Sequence, residues 1–214
     1  MAVRANALPW IRVVVVALAV VTLCSCRGTR VPDKRLIDCD AAAARAIELL
    51  DRNSDGALDD EEISKSPGLA EGKPRVDSNG DGRITVEELA SRFNYWNEAQ
   101  ARLVYPELEV TLNRRLVTNA KITFEPEPYL ADWIDEKRTS TDKMGRCTPR
   151  ISRQLPGMNM GYYRVKVSKI IGGKERLPAR FNEQTELGVE FSDDRPAEEN
   201  LLIRLRLETR RRRR

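Results

Sequence analysis

The chain has 214 residues, with 37 Lys and Arg against 33 Asp and Glu, a formal net charge of +4, four cysteines and no histidine. Without imidazole there is no histidine general base, no histidine-activated nucleophile and no histidine metal ligand. No Gly-x-Ser-x-Gly elbow or Walker-type phosphate loop is present either, so an enzyme is not expected. Much of the positive charge sits in the five consecutive arginines at 210–214; the rest is close to neutral and gives no reason to expect nucleic acid as a partner.

Arg4 and Arg12 precede an apolar run over residues 13–23, followed by Cys24, Ser25 and Cys26. The run is shorter than the ~20 residues of a bilayer-spanning helix, and its basic front reads as an export signal over residues 1–25. Leu23-Cys24-Ser25-Cys26 resembles the bacterial lipobox, whose last cysteine is acylated and becomes the first mature residue. The resemblance implies lipidation at Cys26, with Cys24 as the alternative, and a lipid anchor in a bacterial membrane on the extracytoplasmic side of the cell envelope. The competing reading is a soluble secreted protein cut at an ordinary signal site. Residues 26–37 then form a short basic linker with a reach of at most about 40 Å. Cys39 and Cys147 are the thiols that remain, and an oxidising compartment allows them either to join as a disulfide or to stay separate.

Asp38 or Asp40 can cap a helix running through residues 41–44 to Leu50. It leads into the first of two twelve-residue segments, 51–62 (DRNSDGALDDEE) and 77–88 (DSNGDGRITVEE). A hard cation that takes six to eight oxygens can be served by so short a loop only if the chain curls around it. Asp51, Asn53, Asp55, the Ala57 carbonyl, Asp59 and Glu62 have the required spacing, with Gly56 at the bend. Asp77, Asn79, Asp81, the Arg83 carbonyl, Thr85 and Glu88 repeat it, with Gly82 at the bend. Two calcium sites are expected, with Leu58 and Ile84 paired between the loops. The pattern resembles a paired EF-hand. Four carboxylates in the first loop against three in the second predict tighter binding at the first. Residues 63–76 hold Pro67, Gly68, Gly72 and Pro74, so both inner helices are expected to be very short. The methionines lie outside the loops, which argues against a sensor that opens a methionine-rich groove. Dockerin modules also use paired short calcium loops, but usually carry aspartate where Glu62 and Glu88 stand. Thr85 and Glu88 have capping-box spacing for a last helix through Leu89, Phe93 and Trp96.

From about Tyr105 helical spacing gives way to alternation. Leu108, Val110 and Leu112, a turn at residues 113–115, then Ala120, Ile122 and Phe124 read as a hairpin. Further sets follow at Tyr163, Val165 and Val167, at Leu187, Val189 and Phe191, and at Leu201, Ile203, Leu205 and Leu207. Several short strands imply a sandwich. The order of residues 109–125 (EVTLNRRLVTNAKITFE), 139–146 (TSTDKMGR), 156–167 (PGMNMGYYRVKV) and 177–189 (LPARFNEQTELGV) resembles a carboxypeptidase-regulatory-like, or transthyretin-like, domain of bacterial surface lipoproteins. The first turn departs from that family, with Asn-Arg-Arg in place of an Asp-Gly type. The resemblance implies a non-catalytic sandwich used for folding support, adhesion or protein contacts.

The expected fold is therefore α+β and multidomain: an EF-hand pair over 38–104, an all-β transthyretin-like sandwich over 105–209, and a basic tail at 210–214. The expected role is that of a calcium-binding, membrane-anchored surface lipoprotein with a structural or interaction function. Its alternatives are a dockerin-like, calcium-dependent assembly module of an envelope complex, or a carbohydrate-binding accessory protein using Tyr129 and Trp133. Beyond the membrane, candidate partners are an envelope protein, or an anionic surface polymer or lipid head groups met by the arginine tail.

Overall fold

A computed structural model describes residues 35–101, 103–152, 154–196 and 202–209. The segment expected to be an export signal, Cys26 and the arginine tail lie outside the described residues. No described helix is long and apolar enough to cross a membrane.

The helical half contains α1 (Cys39–Leu50), β1 (Ala57–Leu58), α2 (Asp60–Ile63), α3 (Pro67–Val76), β2 (Ile84–Thr85) and α4 (Val86–Glu98). Asp38 is the α1 cap, accepting from the Ala41 N–H at 3.1 Å. The four-residue α2 meets the expectation of a short inner helix, but α3, at ten residues, does not. Pro67 opens α3 at a position that needs no N–H donor, and Pro74 forgoes one internal bond near its end. Its glycines serve packing. A Cβ on Gly68 would stand 2.7 Å from the Tyr163 nitrogen, and one on Gly72 would stand 2.3 Å from the Tyr162 ring. Burial of α3 against the sheet outweighs the weak helix propensity of its sequence.

The sheet half contains β3 (Glu107–Leu112), β4 (Arg115–Leu116), β5 (Lys121–Pro126), β6 (Lys137–Ser140), β7 (Arg146–Cys147), β8 (Gly161–Ser168), β9 (Ile170–Ile171), β10 (Lys174–Glu175), β11 (Gly188–Phe191) and β12 (Leu202–Leu207). One sheet has the order β11-β8-β5-β6. The other has β12-β3-β4, with β7 also on β3 and β12 running parallel to β3. The hairpin expected between residues 108–112 and 120–124 is not formed. Asn113 and Arg114, both at positive φ, turn β3 tightly onto two-residue β4, and β5 then enters the other sheet. Alternation gives the face of each strand but not its neighbour, since β3 and β5 both bury every second side chain: Leu108 and Val110, Ile122 and Phe124.

Residues 33–214 make one compact unit, and a boundary near residue 105 does not separate two bodies. Phe93 and Trp96 of α4 pack on Tyr162 of β8, with Trp96 and Tyr162 ring centroids 4.8 Å apart, edge to face. Beside them Glu190 of β11 is fully buried and accepts from Arg92 Nε at 2.8 Å and Nη2 at 2.6 Å, and from Arg75 of α3. Arg195 pairs with Glu71 of α3 at 2.9 Å. The α+β class holds, but the two halves share one core.

Candidate metal centre

Each loop leaves a helix at an aspartate whose carboxylate gathers backbone N–H groups. Asp51 accepts from Ser54 N at 2.7 Å and Gly56 N at 2.9 Å; Asp77 accepts from Gly80 N at 2.8 Å and Gly82 N at 3.0 Å. Asn53 and Asp55 each accept from the N–H two residues on, at 2.9 and 3.1 Å. Asn79 and Asp81 do the same, both at 2.8 Å. These bonds curl each chain inward. Gly56 and Gly82 take φ of +85° and +86° at the bend, where a side chain would be strained.

The loops are joined at β1 and β2, with Leu58 opposite Ile84 and both buried. Asp59 and Thr85, at position nine of their loops, cap α2 and α4 through capping boxes. The glutamates at position twelve turn back over the loop entrance. Glu62 Oε1 accepts from Arg52 N at 2.7 Å and Oε2 from Asp59 N at 3.0 Å. Glu88 Oε1 accepts from Ser78 N at 3.1 Å and Oε2 from Thr85 N at 3.0 Å. The two glutamates are only 4% and 9% exposed, and neither forms an ion pair among the described residues. Burial pushes the Glu88 carboxyl up, but the bonds from Thr85 and Ser78 outweigh it and leave it below the usual range. A buried carboxylate is costly without a compensating cation. The donor set, all oxygen and rich in carboxylate, suits a hard divalent ion of calcium's size.

No three Cys, Asp or Glu side chains among the described residues are drawn together into a ready-made cage. The loops instead hold their oxygens on backbone N–H groups. One feature escaped the sequence reading, in which Arg83 supplies only a carbonyl. Its guanidinium crosses to the first loop, donating to Asp55 and, at 3.4 Å, to the Ala57 carbonyl. The bond from Ala57 N and this contact hold the Asp55 carboxyl below its usual range. Lys73 of α3 also ties the loops together, donating to Asp60 at 2.5 Å and to the Gly82 carbonyl at 2.6 Å.

The structure bears on two pairs of readings that the sequence leaves open. Cys39 and Cys147 are free thiols. Cys39 opens α1, where Asn97 donates to its sulfur at 3.2 Å, whereas Cys147 lies on β7 opposite Leu108. The aromatics offered for carbohydrate are not a displayed pair either. Tyr129 is 1% exposed and bonded to the Ser66 hydroxyl at 3.1 Å, and Trp133 is half-buried against the core.

Residues 75–93 match the family model of the EF hand. This span contains the second loop with the end of α3 and the first half of α4. No curated protein and no solved structure matches the chain.

Proposed function

We propose that this chain is a lipid-anchored surface protein of the bacterial envelope in which two calcium ions, one per loop, brace the helical half against the sheet. The observation that carries the calcium reading is the pair of buried glutamates, Glu62 and Glu88, which close two matching loops without an ion-pair partner among the described residues. Calcium would be held by Asp51, Asn53, Asp55, the Ala57 carbonyl, Asp59 and Glu62, and by Asp77, Asn79, Asp81, the Arg83 carbonyl, Thr85 and Glu88; it would supply the positive charge that those carboxylates lack.

A bracing role rather than a sensing one is supported by where the helices go. The faces of α3 and α4 that a sensor would expose, or that a dockerin-like module would offer to a scaffold, already pack on β8 and β11 through Trp96, Tyr162 and Glu190. The sheet half is read as a transthyretin-like, non-catalytic sandwich on the order of its segments. Lipidation at Cys26 rests on the Leu23-Cys24-Ser25-Cys26 sequence.

The reading is tested by thermal unfolding of residues 33–214 in excess calcium and in chelator with magnesium. At tenfold excess over its dissociation constant, each site adds about 1.4 kcal/mol, so calcium raises the midpoint by several degrees. An unchanged midpoint contradicts structural calcium. For the anchor, Cys26→Ala moves the full chain from the membrane to the soluble fraction; retention in the membrane contradicts acylation there.

A further inference from the structure

The end of the sheet half remote from the calcium loops gathers exposed apolar side chains with unpaired cations. Along β8, Tyr162 lies under the helices and Ser168 marks the opposite end, about 20 Å away at strand rise. Three connections meet there. Lys121 pairs across to both Ser140 and Ser168, Thr141 bonds to Val117 O and Ala120 N, and Lys169 donates to Thr118 O. The tip of β4 therefore lies beside the 142–145 turn and the β9–β10 hairpin, and a Cβ on Gly145 would stand 3.1 Å from that of Leu116.

Of the eight large apolar side chains that are strongly exposed among the described residues, four are here: Leu116, Met144, Ile170 and Ile171, each more than half exposed. The same tips carry Arg114 and Arg115, Lys143, and Lys174, all exposed and none in an ion pair among the described residues. Two of the nearby carboxylates are engaged with their own turns, while Glu208 is exposed. Asp142 accepts from Met144 N and Arg146 N, and Glu175 from Ser168, Lys169 N and Leu177 N. Thr209 is also held here: its N–H donates to Asn113 at 3.0 Å and Asn113 returns a bond to the Thr209 hydroxyl at 2.8 Å. The sequence attaches five arginines directly after Thr209.

We infer that this end of the sheet half is a docking surface for an anionic phospholipid bilayer. The cations match the negative headgroups, and the four apolar side chains match the headgroup–acyl boundary just beneath them. An anionic polymer would satisfy the cations and leave those side chains in water, where clustered exposed apolar groups are disfavoured. The surface is independent of the calcium loops and of any acyl chain.

The test is cosedimentation of residues 33–214, which include the tail and every described contact, with phosphatidylcholine vesicles with and without about one third phosphatidylglycerol. Binding is expected only with the anionic lipid. Ile170→Ser with Ile171→Ser is expected to weaken it by about tenfold or more, and Lys143→Glu or Lys174→Glu by about fivefold or more each. The altered side chains are exposed, so an unchanged thermal midpoint shows that each variant is folded. No binding to anionic vesicles overturns the inference. So does binding that ignores the isoleucines, falls with the cations and is matched by inorganic polyphosphate, because that describes a polyanion site.

Discussion

Arg83 of the second twelve-residue loop is bonded to Asp55 of the first. The contact spans the β1–β2 bridge and places a fixed cation on a carboxylate that would otherwise face the ion. Four carboxylates against three favour the first loop on charge alone; Arg83, lying on Asp55, offsets part of that advantage. Arg83→Ala should tighten calcium binding at the first loop by about three- to fivefold, the effect expected of a half-exposed pair. The calcium-free protein should be little changed in stability in the same variant, as expected of an exposed pair. Calorimetric titration of both proteins checks this, and weaker binding in the variant would contradict it.

Glu190 is the buried anion between the two halves, and it serves Arg92 and Arg75 together. Glu190→Ala strands guanidinium charge in the interface and should cost about 3–5 kcal/mol, measured by urea unfolding at neutral pH. A loss below about 1 kcal/mol would mean that the halves are not held through this residue.

The thiols should be slow to react in the native protein. Burial, reinforced by Asp142 and Glu107, pushes the Cys147 thiol up to about 12, and burial with Asp40 raises Cys39 as well. Thiolate is the reactive form. Alkylation of residues 33–214 at neutral pH should therefore be sluggish at both positions and fast after unfolding, and the untreated protein should contain two free thiols by mass. A disulfide mass would contradict the separation of α1 from β7.

Glu127 makes the fold sensitive to rising pH. Burial pushes its carboxyl above the usual range, against Arg164 and the Gly68 N–H that favour the ionised form. The folded state then binds the proton more tightly than the unfolded chain. Its contribution is complete below the ordinary carboxylate pKa and is lost as pH rises through the raised folded value. Glu127→Gln removes that titration, so the stability of the wild type relative to the variant should fall as pH rises above the ordinary carboxylate range. A difference that is flat, or that rises with pH, would contradict the direction.

Local features were legible in the sequence because they depend on neighbours along the chain. The loop glycines, the Asp38 cap, the Thr85–Glu88 capping box and the alternation of β3, β5, β8, β11 and β12 all have their causes within a few residues. Contacts between distant residues were not legible. The glycines of α3 read as breakers, yet they let the helix lie on Tyr162 and Tyr163. Glu190 and Arg92 look like surface charges until the fold brings them together across 98 positions. The crossing of Arg83 had a faint signal, a cation at a loop position where only the carbonyl is needed. Its target required the loops to be paired in register.

The most direct measurement is isothermal titration of residues 33–214 with calcium. Two equivalents bound, reduced to one by Glu62→Gln or by Glu88→Gln and to none by both, is the predicted result. No heat of binding, or binding left intact in the double variant, would contradict the assignment of the two buried glutamates as the residues that close two calcium sites.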